Sequence, residues 1–233
     1  MNIDLYFNTE HHFSSFMKCM DDNERYAWIK DTLTSLNIKY EIQNFETFNN
    51  IICKGKSDIW AVAHYDTLDI RYCANDNSAS IINLIHLKLL NPELNVVFLD
   101  VEEPPYFGLG STMLSSYIHD HGLDCRYILN LELTGYGTQI CTGSHMNNIS
   151  CLIQNKMSGI AIDTPFSDTD IFIQNLIPSV LIFTVKKEGE KVLKESIYHC
   201  HTYKDSYDKM NINDMDNLVY KLTEFIQEEI KSI

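Results

Sequence analysis

The stretch Ile59-Trp60-Ala61-Val62-Ala63 decides the fold class of this chain, because it is a short and wholly apolar run. Such a run is typical of a strand that is buried on both faces, as strands are in parallel sheets covered by helices. Similar short runs lie at residues 95–99, 127–131 and 179–183. We therefore predict four central strands in one sheet.

Helical patterns separate these strands along the chain. We predict helices at about residues 13–36, 77–90, 110–119 and 213–233, and two neighbouring strands at 38–44 and 50–53. Asp21 or Asp22 is a candidate N-cap within the first helical stretch, and Asn91-Pro92 is expected to end the helix at 77–90. Strands that alternate with helices predict an α/β fold with a mixed, largely parallel central sheet flanked by helices.

Length and charge limit the kinds of function that the chain can have. Its 233 residues are 45% hydrophobic, which suffices for one large core, so we predict a single domain over residues 1–233. The formal net charge of −14 at pH 7 argues against nucleic acid and against an anionic membrane surface as partners. No feature of the sequence indicates an oligomeric state.

Cysteine usage and the first residues predict a cytoplasmic protein. Seven cysteines are scattered without a CxxC pair, which favours reduced thiols over disulfides or a zinc ribbon. Residues 1–5 carry neither the basic segment nor the apolar segment of a signal peptide. We also find no apolar run of the length needed to cross a bilayer.

Polar side chains follow three of the predicted strands at the point where each strand ends. His64 and Asp66 follow the strand at 59–63, Glu102 and Glu103 follow 95–99, and Glu132 comes directly after 127–131. The carboxyl ends of parallel strands meet at one edge of the sheet, where open α/β sheets bind their ligands. We therefore expect these side chains to converge on one crevice.

Two further residues complete a set of metal ligands. Asp76 precedes a predicted helix, whose N-terminus favours an ionised carboxylate, and His201 lies ahead of the last helix. Several carboxylates gathered in one place repel each other unless cations lie between them. Two zinc-like ions that share one carboxylate need two histidines and three acids. The candidate ligands are His64, Asp76, Glu103, Glu132 and His201.

Five motifs carry these residues in order along the chain. They are His64-Tyr65-Asp66-Thr67, Asn75-Asp76-Asn77-Ser78-Ala79, Glu102-Glu103 with Gly108-Leu109-Gly110-Ser111, Asn130-Leu131-Glu132, and His201-Thr202 with Asp205. Their order resembles that of the M28 family of zinc aminopeptidases. The resemblance covers roughly residues 58–210, which we take as the catalytic core, and it implies a zinc-aminopeptidase fold of the phosphorylase/hydrolase-like type. Each residue taken singly is more typical of a turn, a cap or an exposed surface than of a metal ligand; the ordered set makes the resemblance specific.

The resemblance implies a role for each residue in a metal-dependent exopeptidase, most simply an aminopeptidase acting on peptides or small amino-acid derivatives. Two Zn²⁺ ions are implied, with cobalt or manganese as possible substitutes because such ligands discriminate weakly. By the resemblance, Asp76 bridges the two ions, one held by His64 and Glu132 and the other by Glu103 and His201. Glu102 is then the general base, and Asp66 completes the catalytic set by holding the His64 ring.

Departures from the family pattern keep other functions open. Aminopeptidase members usually carry Asp where Glu132 stands, whereas some related carboxypeptidase-type enzymes carry Glu, so a carboxypeptidase or an N-acyl amino acid amidohydrolase on the same two-metal site is an alternative. Ser167-Asp168-Thr169-Asp170 replaces the Ser-Asp-His or Ser-Asp-Tyr of the family, so we expect no aromatic or imidazole contact to the substrate from this segment. Further alternatives are a single-zinc enzyme like the glutaminyl cyclases and a non-catalytic binding module.

Overall fold

Eight α-helices and nine strands form an α/β fold within residues 7–189 and 191–231, the part of the chain that the computed structural model describes. The helices are α1 (Thr9–Phe16), α2 (Asp22–Ser35), α3 (Ala79–Leu90), α4 (Leu109–Asp120), α5 (Asn148–Met157), α6 (Asp168–Gln174), α7 (Glu195–His199) and α8 (Ile212–Lys231). The strands are β1 (Glu41–Phe45), β2 (Phe48–Cys53), β3 (Ile59–His64), β4 (Asn95–Leu99), β5 (Tyr127–Leu131), β6 (Gln139–Thr142), β7 (Ile160–Ala161), β8 (Ser179–Glu188) and β9 (Lys191–Leu193).

The sheet is mixed, with a parallel centre, as predicted. Its strand order is β1-β2-β4-β3-β5-β8-β6-β7, and β9 pairs with β8. The four predicted central strands β4, β3, β5 and β8 pair in parallel, whereas β2 and β6 join them antiparallel. The carboxyl ends of the central strands therefore lie at one edge of the sheet.

Strand β3 is buried on both faces, which explains its uninterrupted apolar sequence. Ile59, Ala61 and Ala63 pack into a large core together with residues of α1, α2, α3 and α8. Trp60 and Val62 point the other way, into a second core that includes residues of α4 and α6. Helices thus cover both faces of the sheet centre, as the apolar run predicted.

The N-terminal helical stretch is two helices, and Asp21 is the cap of the second. The Asp21 side chain accepts a hydrogen bond from the backbone N–H of Glu24 at 2.8 Å. Among the described residues, no helix has the length and apolar character needed to span a membrane. The predicted last residues of α8, 232 and 233, lie outside the described residues, as do residues 1–5 of the signal-peptide prediction.

The helix expected from residue 77 begins two residues later, because a π-helical turn, Ala74–Ser78, precedes it. The backbone of Asp76 is not helical there, with φ −110° and ψ 88°. Its N–H donates to the Asp205 carboxylate instead of to a helical carbonyl. The departure from the helix therefore lies at a predicted ligand.

Four elements between Glu132 and Pro178 had no counterpart in our sequence-based assignment, namely β6, α5, β7 and α6. The strands among them have four and two residues, too short for a clear alternation of apolar and polar residues. Strand β8 also continues to Glu188, beyond the predicted end at residue 183, because it pairs with β6 and β9 along this extension.

Candidate active site

Six of the seven predicted site residues line one cavity at the carboxyl edge of the sheet. The cavity has a volume of about 640 Å³. The seventh residue, Asp66, is buried and lines a separate cavity that shares Glu103 with the first. The residues that line the main cavity are His64, Asp76, Glu102, Glu103, Glu132 and His201.

Asp76, Glu103 and His201 form a compact group of possible metal ligands. One ligand atom from each lies within 4.8 Å of the other two, and in the described part of the chain this is the only such group. His201 Nε2 is 2.8 Å from Glu103 Oε1 and 3.1 Å from Asp76 Oδ2. A mixed set of one imidazole nitrogen and two carboxylate oxygens at this spacing fits a zinc ion.

His64 faces the other oxygen of the same aspartate, since its Nε2 is 3.3 Å from Asp76 Oδ1. Asp76 thus presents one oxygen to each imidazole, as a bridging ligand must. Glu132 lines the cavity, but its Oε1 accepts a hydrogen bond from Asn130 Nδ2 at 2.8 Å. Within the described residues, Glu132 does not close a second group of three ligand atoms with His64 and Asp76.

Asp66 connects the His64 loop to the paired glutamates. Its Oδ1 lies 3.4 Å from His64 Nδ1. The two carboxylate oxygens also accept the backbone N–H groups of Glu102 at 3.1 Å and Glu103 at 2.9 Å. Asp66 is therefore placed to orient the ring and to fix the backbone from which the two glutamates extend.

Asp205 supports Asp76 from behind, a role that the sequence did not reveal although the residue belongs to a quoted motif. Its carboxylate accepts the backbone N–H groups of Asn75 at 2.5 Å and Asp76 at 3.0 Å. The side chain is buried, and burial raises its pKa to about 6. Asp205 and Asp76 are 129 residues apart in the sequence, so no local pattern predicts this contact.

Asp168 is a second acid that sequence reasoning did not assign. It is fully buried at the start of α6, and burial raises its pKa to about 6. Its negative charge raises the pKa of both Glu102 and Glu132. Its position within the altered Ser-Asp motif was the one signal in the sequence that could have drawn attention to it.

Glu102 and Glu132 hold protons more readily than an exposed glutamate does. Burial raises the pKa of Glu132 to about 8 and that of Glu102 well above its ordinary value, partly offset by the nearby His64. A carboxylate with a raised pKa is a stronger base and accepts a proton more readily. Glu102 therefore has the electrostatic setting of a general base.

The imidazoles and Asp76 stabilise one another's charged forms. Hydrogen bonds to Asp76 and Glu103 raise the pKa of His201 to about 10. Burial lowers the pKa of His64, but Asp66 and Asp76 outweigh it and the net direction is upward. For Asp76, burial raises the pKa, and the two imidazoles more than reverse this, so the net direction is downward. Such a cluster attracts cations.

One side of the cavity is apolar. We name as the apolar wall Leu133, Phe166, Leu181, Phe183 and Ile197, all of which line the cavity. Leu181 and Phe183 are alternate residues of β8 and are both buried, so they point to the same face of the sheet. Phe166 precedes the altered Ser-Asp motif by one residue, so an aromatic side chain does reach the cavity beside that segment.

Carboxylates outnumber the imidazoles among the described residues that line this cavity. Among the described residues that line it, four are carboxylates and none is lysine or arginine. His145, which lies outside the predicted site, pairs with Asp170 at 2.7 Å and lines a neighbouring cavity of about 260 Å³. The main cavity thus offers negative charge, two imidazoles and an apolar wall.

Comparison with known proteins gives a family and a fold. The sequence profile of peptidase family M28 matches residues 50–226. The comparison with curated proteins found no match.

Solved structures share this fold at low sequence identity. The Legionella pneumophila LapA aminopeptidase has a TM-score of 0.77 at 13% identity, over 98% of this chain and 72% of its own. Porphyromonas gingivalis glutaminyl cyclase has a TM-score of 0.76 at 17% identity, over 96% and 99%. BSAP, a zinc aminopeptidase from Bacillus subtilis, has a TM-score of 0.62 at 20% identity, over 78% and 50%. These likenesses establish the fold.

Proposed function

The chain belongs to peptidase family M28, a family of metallopeptidases, and from this premise we propose that it is a zinc-dependent aminopeptidase. The observation that carries the proposal is one cavity in which a set of metal ligands, the acid Glu102 and an apolar wall all meet. A peptide bond placed against the ligands would share the cavity with a proton acceptor and with apolar side chains.

The ligand set is proposed to hold two zinc ions. Asp76 is the shared ligand, because each of its oxygens faces a different imidazole. Glu103 and His201 complete one site, and His64 and Glu132 complete the other. Zinc bound at these residues supplies a Lewis acid that polarises a carbonyl and lowers the pKa of water.

Glu102 is proposed to accept the proton of the attacking water and to return it to the leaving amine. Its side chain lines the cavity beside the ligands, and the backbone N–H of Glu102 is held by Asp66. Burial raises its pKa, which makes the carboxylate a stronger proton acceptor. Asp66 acts through His64 and the glutamate backbone, so it is a positioning residue.

The charges of the cavity favour an aminopeptidase over a carboxypeptidase or an N-acyl amino acid amidohydrolase. Both of these alternatives bind a substrate carboxylate, which needs a cation or a cluster of donors. The described lining residues include no lysine or arginine that could pair with a substrate carboxylate, whereas an acidic lining suits the free ammonium group of a peptide N-terminus. The apolar wall favours substrates with an apolar first residue.

Paired substrates test this proposal. We expect the zinc-loaded protein to hydrolyse leucine amide and not N-acetyl-leucine amide or N-acetyl-leucine. Glu102→Gln should keep its zinc and lose turnover about 10²- to 10⁴-fold, the usual contribution of a general base. Cleavage of N-acetyl-leucine alone would establish the amidohydrolase instead, and full activity of Glu102→Gln would remove this residue from the mechanism.

A single-zinc glutaminyl cyclase is the second candidate, because one observation favours it. Only Asp76, Glu103 and His201 form a closed ligand group in the described residues, while Glu132 is engaged by Asn130. Such an enzyme would hold one zinc per chain and would cyclise an N-terminal glutamine. Metal analysis of the purified protein, combined with a glutaminyl peptide as substrate, separates it from the two-zinc peptidase. A chain that binds no zinc in the metal analysis and does not convert the glutaminyl peptide would be a non-catalytic binding module.

The net charge and the cysteines support a proposal for the compartment and the partners of the protein. None of the seven cysteines forms a disulfide within the described residues, as is usual in a reducing compartment, so we place the protein in the cytoplasm. The net charge of −14 favours peptides over nucleic acid as partners.

A further inference from the structure

Arg25 is a buried cation that the proposed chemistry does not use. It lies in α2, before the residues that match the family profile, and its exposed fraction is 0%. A guanidinium group removed from water is costly unless hydrogen bonds or opposite charges compensate it. Its contacts therefore bear on why the chain keeps a charge at this position.

The guanidinium group donates hydrogen bonds to three neutral acceptors. Its Nε donates to the carbonyl oxygen of Tyr65 at 2.5 Å. Its Nη1 donates to Ser78 Oγ at 2.9 Å and to Cys73 Sγ at 3.3 Å. The guanidinium carbon also lies 4.4 Å from the ring centre of Phe16, which is a cation–π contact.

These acceptors flank the metal ligands on two separate segments of the chain. Tyr65 stands between His64 and Asp66, whereas Cys73 and Ser78 lie on either side of Asp76. The same side chain thus contacts the loop after β3 and the π-helical turn before α3. The two ligands that these segments carry approach to 3.3 Å, from His64 Nε2 to Asp76 Oδ1.

We propose that Arg25 is a positioning residue of the metal site, which fixes the loop of His64 and Asp66 against the turn of Asp76. This inference rests on the proposed function, because it assumes that these ligands hold zinc. The planar guanidinium group suits the role, since it donates in several fixed directions at once, whereas lysine presents a flexible point charge. Loss of such supporting contacts typically lowers metal affinity 10- to 100-fold.

The test compares Arg25→Met and Arg25→Lys with a matched control, Lys88→Met. Lys88 is also a buried cation bonded to neutral acceptors, the backbone carbonyl oxygens of Lys54, Pro92 and Leu94, but it lies outside the cavity of the ligands. Zinc affinity is measured by competition with a chromophoric chelator, and the visible absorption spectrum of the Co²⁺-loaded full chain reports the ligand geometry. Thermal melts of the metal-free variants measure folding.

We expect Arg25→Met to bind zinc 10- to 100-fold more weakly and to show an altered Co²⁺ spectrum. Arg25→Lys should recover part of the affinity, and Lys88→Met should lose stability while keeping the wild-type affinity and spectrum. If Arg25→Met does not fold, the zinc affinity of Arg25→Lys decides. Wild-type zinc affinity and spectrum in the folded Arg25 variant would overturn the inference and leave the proposed function intact, whereas a wild-type chain that binds neither ion would overturn the metal site itself.

Discussion

Replacing Asp205 by asparagine should weaken zinc binding without unfolding the protein. The carboxylate accepts two backbone N–H groups, from Asn75 at 2.5 Å and from Asp76 at 3.0 Å. Asparagine has nearly the same size but offers only one acceptor oxygen, and its NH₂ group faces the other N–H. The backbone at Asn75 and Asp76, which carries the proposed bridging ligand, therefore loses one of its two hydrogen bonds to residue 205.

The metal-free protein should not lose stability at pH 7. Burial raises the pKa of Asp205 from 3.8 to about 6 although both backbone hydrogen bonds lower it, so ionisation at pH 7 costs roughly 3 kcal/mol that asparagine does not incur. We therefore expect the metal-free variant to be as stable as the wild type or more stable, by up to about 3 kcal/mol.

Zinc affinity should fall about 10- to 100-fold, as is typical when a partner behind a metal ligand is lost. Chelator competition at pH 7.5 measures this change, and denaturant unfolding of the metal-free protein measures stability. Asp208→Asn is the control, because within the described residues this exposed acid, three residues further on, bonds to Ser206 and Lys209 and to no metal-site residue. Unchanged zinc affinity in a folded Asp205→Asn variant would refute the claim that Asp205 positions Asp76.

Three further predictions follow from the charges and the cavity. Zinc affinity should rise about tenfold per pH unit between pH 6 and 8 for each proton that zinc displaces. The acid partners of His201 raise its pKa to about 10, so this imidazole must lose a proton to bind metal, and an affinity that does not change with pH would contradict its place in the ligand set. Asp22→Asn should stabilise the protein by up to about 1 kcal/mol at pH 7, because burial raises the pKa of Asp22 to about 6 and ionisation of this partly exposed group then opposes folding. Below pH 3.8 Asp22 is neutral in the folded and the unfolded protein, so the substitution should bring no gain there; urea unfolding at the two pH values measures both effects, and equal gains would contradict this cause. Leu181→Ala should lower kcat/KM for leucine amide about tenfold while alanine amide changes little, and equal losses on both substrates would exclude Leu181 from side-chain recognition.

Local patterns in the sequence were sufficient to predict the framework of the protein. The apolar run at 59–63 belongs to a strand buried on both faces, and Asp21 caps a helix through a bond to a residue three positions away. The parallel centre of the sheet followed from the alternation of such runs with helices. These features depend on side chains close together in sequence, so the sequence displays them directly.

The convergence of the candidate ligands was predictable only as an ordered set. His64, Glu102 and Glu132 each follow a central strand, and parallel strands bring their carboxyl ends together. The approach of His201 to Asp76 and Glu103 has no such local cause, so it was accessible through the resemblance to a family alone. Whether Glu132 ligates or stays bonded to Asn130 is likewise a matter of geometry that no spacing reveals.

From its sequence alone, the chain determines an α/β framework with acids and histidines at the ends of its strands. The tertiary structure decides which groups stand behind them: Asp205 supports Asp76 across 129 residues, and Arg25 reaches Ser78 across 53. The physical reason is that burial, hydrogen bonding and pKa depend on which distant segments pack together. The periodicity of apolar residues indicates which face of a helix or strand is buried. It does not indicate which side chains of other elements that face contacts.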